Sequence, residues 1–131
     1  MLRERKYRMN SESQDYYDRL GPWATEKAVR AAFGVTSKTL DAWRAENRIL
    51  GVEFGPSYFY VVHQFENGGI VDGLQEVLTA LSTTFTVPES RAGWLSEKAY
   101  PDSPENRWDV LRSGQSSRVL EWAKEDARPT A

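Results

Sequence analysis

The sequence predicts a mainly α-helical fold with one small β-hairpin set between two helical parts. Three observations carry this. Residues 24–48 hold two short apolar-faced helical patterns separated by Gly34. Residues 49–65 switch to the alternation of strands, with Gly55-Pro56 as the turn. Residues 72–123 return to helical spacing and carry Trp94, Trp108 and Trp122, a large apolar load that needs a core or a partner to cover it.

Residues 1–14 are polar and mixed in charge. Arg3, Arg5, Lys6 and Arg8 are placed to touch phosphates as a flexible arm, although a solvated tail is the simpler reading. Tyr16, Tyr17 and Leu20 predict a short helix that stops at Gly21-Pro22. The next helix begins near Thr25, with Glu26 in its first turn and Ala28, Val29, Ala32 and Phe33 on its apolar face. Gly34 breaks it, and Thr36 is placed to cap another helix with Leu40, Trp43 and Asn47 inward. At about 100° per residue, Lys38, Asp41, Ala42 and Ala45 then point out, with Ser37, Arg44 and Arg48 at the flanks.

Two short helices joined by a glycine turn form the helix-turn-helix pattern, whose second helix can enter the DNA major groove. The stretch F-G-V-T-S-K-T-L-D-A-W-R resembles the form common in small bacterial regulators, with Val29, Phe33, Val35, Leu40 and Trp43 at its apolar positions. Arg30 stands where alanine is usual, and it fits if its stem runs along the surface. The candidate DNA-binding set is Ser37, Lys38, Asp41, Arg44 and Arg48. The four other than Asp41 suit phosphates or guanine edges, whereas Asp41 repels phosphate. The competing reading is a helix pair kept for packing or protein contacts.

In the strand region Val52 and Phe54 alternate, and Tyr58 to Val62 is aromatic and β-branched. After a helix-turn-helix such a hairpin forms a wing or supports the core. His63 is the only histidine and has no neighbouring serine–carboxylate or metal-ligand arrangement, which points to packing. Asn67-Gly68-Gly69 reads as a turn. Asp72 is placed to cap a helix over 72–82, with Leu74, Val77, Leu78 and Leu81 inward. Thr83 to Pro88 connects to the tryptophan-rich unit. There Ser103 is a candidate N-cap, Pro104 suits the first helical position, and Gly114 is the expected stop. Glu105 and Asp109 are expected on a solvated helical face, with Asp102 outside the helix. Ser116 or Ser117 caps a last helix bearing Val119, Leu120, Trp122 and Ala123 on one side.

Composition narrows the function classes. The 131-residue chain has no cysteine, so disulfides, zinc–thiolate sites and cysteine nucleophiles are excluded. A single histidine, no glycine-rich phosphate loop and no clustered acid pair argue against an enzyme, and no catalytic residue, metal or cofactor is expected. No apolar run approaches a membrane span, and MLRERKYRMN lacks the apolar region of a signal peptide, so a cytoplasmic protein is expected. The charge is split: residues 1–48 balance at +3 and residues 66–131 at -4.

The order of features from Leu50 onward resembles the antitoxins of the MbcA/ParS/Xre type, whose C-terminal part binds a toxin. The residues that carry the resemblance are Tyr60, Gln64, Phe65, Gly69, Val71, Gly73, Leu74, Val77, Leu78, Leu81, Trp94, Leu95, Trp108, Asp109, Leu111, Gly114, Val119, Leu120 and Ala123. Val61 stands where that pattern has proline, and His63 where it commonly has an aromatic. The chain divides into an arm and short helix over 1–22, a helix-turn-helix with hairpin over 23–65, and a helical unit over 66–131, which the resemblance makes the toxin-binding domain. The resemblance implies the antitoxin of a type II toxin–antitoxin pair. The partner it implies is a RES-like toxin that consumes NAD or transfers ADP-ribose. On the same resemblance the antitoxin is expected to block the toxin, bind its own operator DNA and form a homodimer. An acidic inhibitor surface suits a toxin whose pocket attracts an anionic dinucleotide. Within that reading Arg118, Trp122, Lys124, Arg128 and the tail to Ala131 are the expected toxin contacts, while Trp94, Trp108, Leu111 and Leu120 are core. The alternative is a stand-alone helix-turn-helix regulator, chromosomal or phage, whose C-terminal unit serves dimerisation.

Overall fold

The structure, a computed structural model, describes residues 11–129. The basic cluster Arg3 to Arg8 and the last residues of the tail lie outside them. The described residues form seven α-helices and two small antiparallel sheets, a mainly α fold. None of these helices is long and apolar enough to cross a membrane.

Helix α1 (Ser11–Leu20) leads into strand β1 (Trp23–Thr25). Tyr17 packs against Trp23 and Phe54, and its carbonyl accepts from the Trp23 indole at 2.9 Å. Helix α2 (Glu26–Phe33) starts where Thr25 Oγ1 accepts from the Ala28 amide, and it ends at Gly34 in the left-handed region. Helix α3 (Ser37–Ala45) starts where Thr36 Oγ1 accepts from the Thr39 amide. Each cap satisfies an amide that has no partner within its own helix. The apolar stripe of α2 is narrower than its sequence suggests. Val29 and Phe33 pack inward, but Ala28 and Ala32 are exposed. Asn47 is not an inward helical residue, because α3 stops at Ala45 and Asn47 turns the chain at φ 60°.

Strands β2 (Gly51–Phe54) and β3 (Ser57–Val61) form the expected hairpin around Gly55-Pro56. β1 adds to the far edge of β3, pairing Trp23 with Val61, and gives the order β1-β3-β2. Three residues are too short to show an alternation, so β1 leaves no signal in the sequence. Gly51 lies opposite Tyr60, and a β-carbon there would fall 2.7 Å from the Tyr60 ring and 2.9 Å from Arg44 Cδ. A short helical turn over Val62–Gln64 follows. The buried Gln64 carboxamide bridges back to the Leu50 amide and carbonyl, at 2.7 and 2.9 Å. His63 packs its ring 6.2 Å from that of Trp108.

Strands β4 (Phe65–Glu66) and β5 (Gly69–Ile70) close a second hairpin. Asn67 and Gly68 both have positive φ, as a two-residue turn of this twist requires. Helix α4 (Leu74–Leu81) buries Leu74, Val77, Leu78 and Leu81 as expected. Its N-cap is Gly73, not Asp72, because the chain passes through the left-handed region at residue 73 before the helix begins. Gly73 sits at φ 89°, and a β-carbon on it would fall 2.4 Å from the Ser116 Cβ.

Helix α5 (Pro88–Ser96) begins with proline in its first turn. Helix α6 (Arg107–Arg112) starts later than Ser103 and Pro104 suggest. Asn106 is its N-cap, and its side chain and that of Asp109 exchange hydrogen bonds with each other's backbone amides. Ser103 is buried in the preceding loop, where its hydroxyl accepts from the Glu105 amide. Glu105 therefore lies off the helix and shares no helical face with Asp109. Helix α7 (Ser116–Asp126) is preceded by Gln115, and neither Ser116 nor Ser117 caps it.

Two apolar clusters result. The smaller joins Val29, Leu40, Ile49 and Tyr60. The larger is built on Leu74, Val77, Leu78, Leu81, Leu95, Trp108, Leu111, Val119 and Ala123, and takes in Leu20, Leu50 and Val61. Trp94, Trp108 and Leu111 are core, as expected. Leu120 is not: it is only partly buried, at the edge of that cluster.

Candidate functional site

The outward face of α3 is formed as its helical spacing dictates. Ser37, Lys38, Asp41, Ala42 and Ala45 are all exposed. Arg48 follows the helix, 48% exposed, with its guanidinium over Trp43 at 4.9 Å and paired to Glu46 at 3.6 Å. The exposed Lys27 and Arg30 of α2 add two cations that the candidate set omitted, and the Arg30 stem lies at the surface.

Arg44 is not part of that face. Its side chain is only 14% exposed. Four residues beyond Leu40, it lies only about 40° from it around the helix and so turns toward the fold. Its guanidinium pairs with Glu26 at 3.2 Å and with Asp41, donates to the Tyr60 hydroxyl, and stacks 3.6 Å over the Tyr58 ring. The Tyr60 hydroxyl in turn donates to Glu26 at 2.8 Å. Burial raises the Tyr60 pKa well above that of an ordinary phenol, and the bond to Glu26 raises it further, against the opposing field of Arg44. Arg44 is thereby a tie between α2, α3 and the hairpin. It serves two carboxylates with one positive charge, so Asp41, 64% exposed, keeps part of the repulsion it offers to a phosphate.

At the other end, α7 splits the expected contact set. Arg118 and Trp122 sit one turn apart, with the guanidinium 5.0 Å from the indole centroid and bonded to Gln115 at 2.8 Å. Trp122 is half-buried against the larger core. Lys124 lies about 120° away from Arg118 around the helix. It lines a shallow groove with Leu120, Glu76, Thr79 and Ala80. Arg128 is exposed just beyond the helix.

Behind α7 the unit is pinned by charge. The Trp94 indole donates to Asp126 at 2.8 Å. Arg107 pairs with Glu97 and Asp126, lies 4.2 Å over the Trp94 ring, and donates to the Trp94 carbonyl at 2.9 Å. Among the described residues no group of three or more His, Cys, Asp or Glu side chains is arranged to hold a metal ion. Comparison with protein-family models, with curated proteins and with solved structures finds no match in any of the three.

Proposed function

We propose that the chain is a DNA-binding regulator with a protein-binding C-terminal unit, acting as the antitoxin of a type II pair. In this reading α2 and α3 form a helix-turn-helix and α3 meets the major groove. The single observation that supports it best is the outward face of α3. A helix capped by Thr36 presents Ser37, Lys38, Asp41, Ala42 and Ala45 to solvent. Two alanines allow a close approach to base edges, and serine and lysine supply donors for phosphate. Lys27, Arg30 and Arg48 add cations at its margins. In this reading the hairpin β2–β3 serves as the wing.

The toxin-binding part rests on the resemblance of residues from Leu50 onward and on the half-buried Trp122 with Arg118 stacked on it. A RES-like toxin that consumes NAD or transfers ADP-ribose is the partner this implies, with a homodimer as the operator-bound form. Fluorescence anisotropy with the duplex upstream of the coding sequence tests the first part. Saturable, salt-sensitive binding that weakens in Lys38→Ala is expected, and salt-insensitive binding sinks it. Copurification with the product of the adjacent gene tests the second. DNA binding without any such complex favours the stand-alone regulator instead.

A further inference from the structure

Arg91 carries a charge that the fold does not answer. The two other inward-turned arginines, Arg44 and Arg107, are each 14% exposed, and each pairs with two carboxylates. Arg91 has no carboxylate within ion-pair distance among the described residues. Its Nη1 donates to the Phe85 and Thr86 carbonyls at 2.8 and 3.4 Å. Its Nε is buried without an acceptor. Burial pushes the guanidinium pKa below its ordinary value, the sign of a desolvated cation. Such a group is unfavourable unless something pairs with it.

Arg91 lines a cleft of about 560 Å³ between the end of α3, the hairpin and the start of α5. That volume falls within the range of small-molecule sites, roughly 300–1,000 Å³. Asp41 and Arg44 also line it and pair with each other, Arg44 pairing with Glu26 as well. Arg91 is thus the lining cation with no carboxylate partner among the described residues. Asn47 and Tyr58 add a carboxamide and a ring edge, and Leu78 an apolar wall. The Asn47 carboxamide has only a long contact, 3.5 Å, to Thr79.

We propose that this cleft binds a small organic anion, a carboxylate or phosphate ester on a compact apolar body, with Arg91 as its anchoring cation and Asn47 as a hydrogen-bonding partner. The site stands whether or not α3 meets DNA. Proton–nitrogen NMR of the full chain, titrated with phenyl phosphate, benzoate and neutral benzyl alcohol, tests it. At least one of the two anions is expected to give saturable shifts of the Asn47, Gly51 and Arg91 amides, and which one does so separates phosphate from carboxylate. Benzyl alcohol is expected to bind at least tenfold more weakly. Arg91→Met, checked for fold by circular dichroism, is expected to lose at least tenfold in affinity. Asn47→Gly, which keeps the left-handed backbone without strain, is expected to lose about threefold and serves if Arg91→Met does not fold. Absence of saturable shifts with both anions, equal binding of benzyl alcohol, or unchanged affinity in a folded variant overturns the proposal.

Discussion

The Tyr60 hydroxyl donates a hydrogen bond to the Glu26 carboxylate across 2.8 Å, joining the middle of the hairpin to the first turn of α2. Tyr60 is fully buried and the Glu26 side chain only 22% exposed, so solvent only partly makes good the loss of the bond. Tyr60→Phe is therefore expected to destabilise by about 1.5–3 kcal/mol, the range for a hydrogen bond to a charged group. Urea unfolding at neutral pH measures it. The pH dependence has a definite sign. The folded phenol ionises above the ordinary value of 10.0, so its contribution is complete below pH 10.0 and is lost as pH rises beyond it. Tyr17, also raised by burial, declines in the same direction. Tyr60→Phe should flatten the alkaline fall in stability, and an identical fall in both proteins would show that the Tyr60 phenol does not govern it.

Gly73 and Ser116 hold α4 and α7 in close contact. Gly73→Ala meets two penalties: a left-handed φ of 89°, and a β-carbon 2.4 Å from that of Ser116. The backbone part costs about 1–2 kcal/mol and the overpacking about 1–3 kcal/mol. Adding Ser116→Gly removes the steric part alone. The urea midpoint is expected to drop in the single variant and to recover in part in the double, a non-additive result that separates the two causes.

The same glycine shows why some of the fold was hidden in the sequence. Asp72 has the chemistry of an N-cap, but residue 73 adopts a left-handed turn packed against Ser116, forty-three residues away, and the helix starts after it. Nothing near Asp72 in the sequence announces that contact. The shift from Ser103 to Asn106 likewise goes with a contact between residues apart in the sequence. Lys98 and Asn106 form an isolated bridge across the intervening loop, and α6 begins only after it. Where caps and apolar spacing act alone, as with Thr25, Thr36, Gly34 and the four leucine and valine positions of α4, the sequence was legible. In the candidate site, Lys38 and Ser37 were found because exposure follows from the wheel. The role of Arg44 was missed because its partners Glu26 and Tyr60 are brought near only by the sheet. Arg91 was invisible, since nothing local distinguishes an unanswered arginine from a solvated one.

The contrast between Lys38 and Arg44 separates reading from scaffolding. Lys38→Ala removes an exposed cation and should change stability by no more than about 0.5 kcal/mol. If α3 meets DNA, it should also lower the salt dependence of binding by about one phosphate contact. Arg44→Ala leaves Glu26 and Tyr60 without their cation and should cost about 3 kcal/mol, the low end for breaking a buried pair. Denaturation and anisotropy on both variants decide the matter. A Lys38→Ala protein with the wild-type salt slope would remove α3 from the DNA interface.

The two faces of α7 are far enough apart for one partner surface to use one and spare the other. Trp122 is the stronger anchor, because it offers an aromatic surface already held by Arg118 and backed by the core. Its truncation to alanine is expected to cost at least about 2 kcal/mol of partner affinity, roughly thirtyfold. Arg118→Glu should weaken binding less, since an exposed charge at the rim is worth little. Lys124→Glu, about 120° around the helix, should leave affinity unchanged. Titration calorimetry with the copurified partner measures all three, and the thermal midpoint of each free variant separates lost contact from lost packing. Equal losses at Trp122 and Lys124 would mean that the partner surrounds the helix, and a loss at Lys124 alone would move the interface to the groove that Leu120 lines.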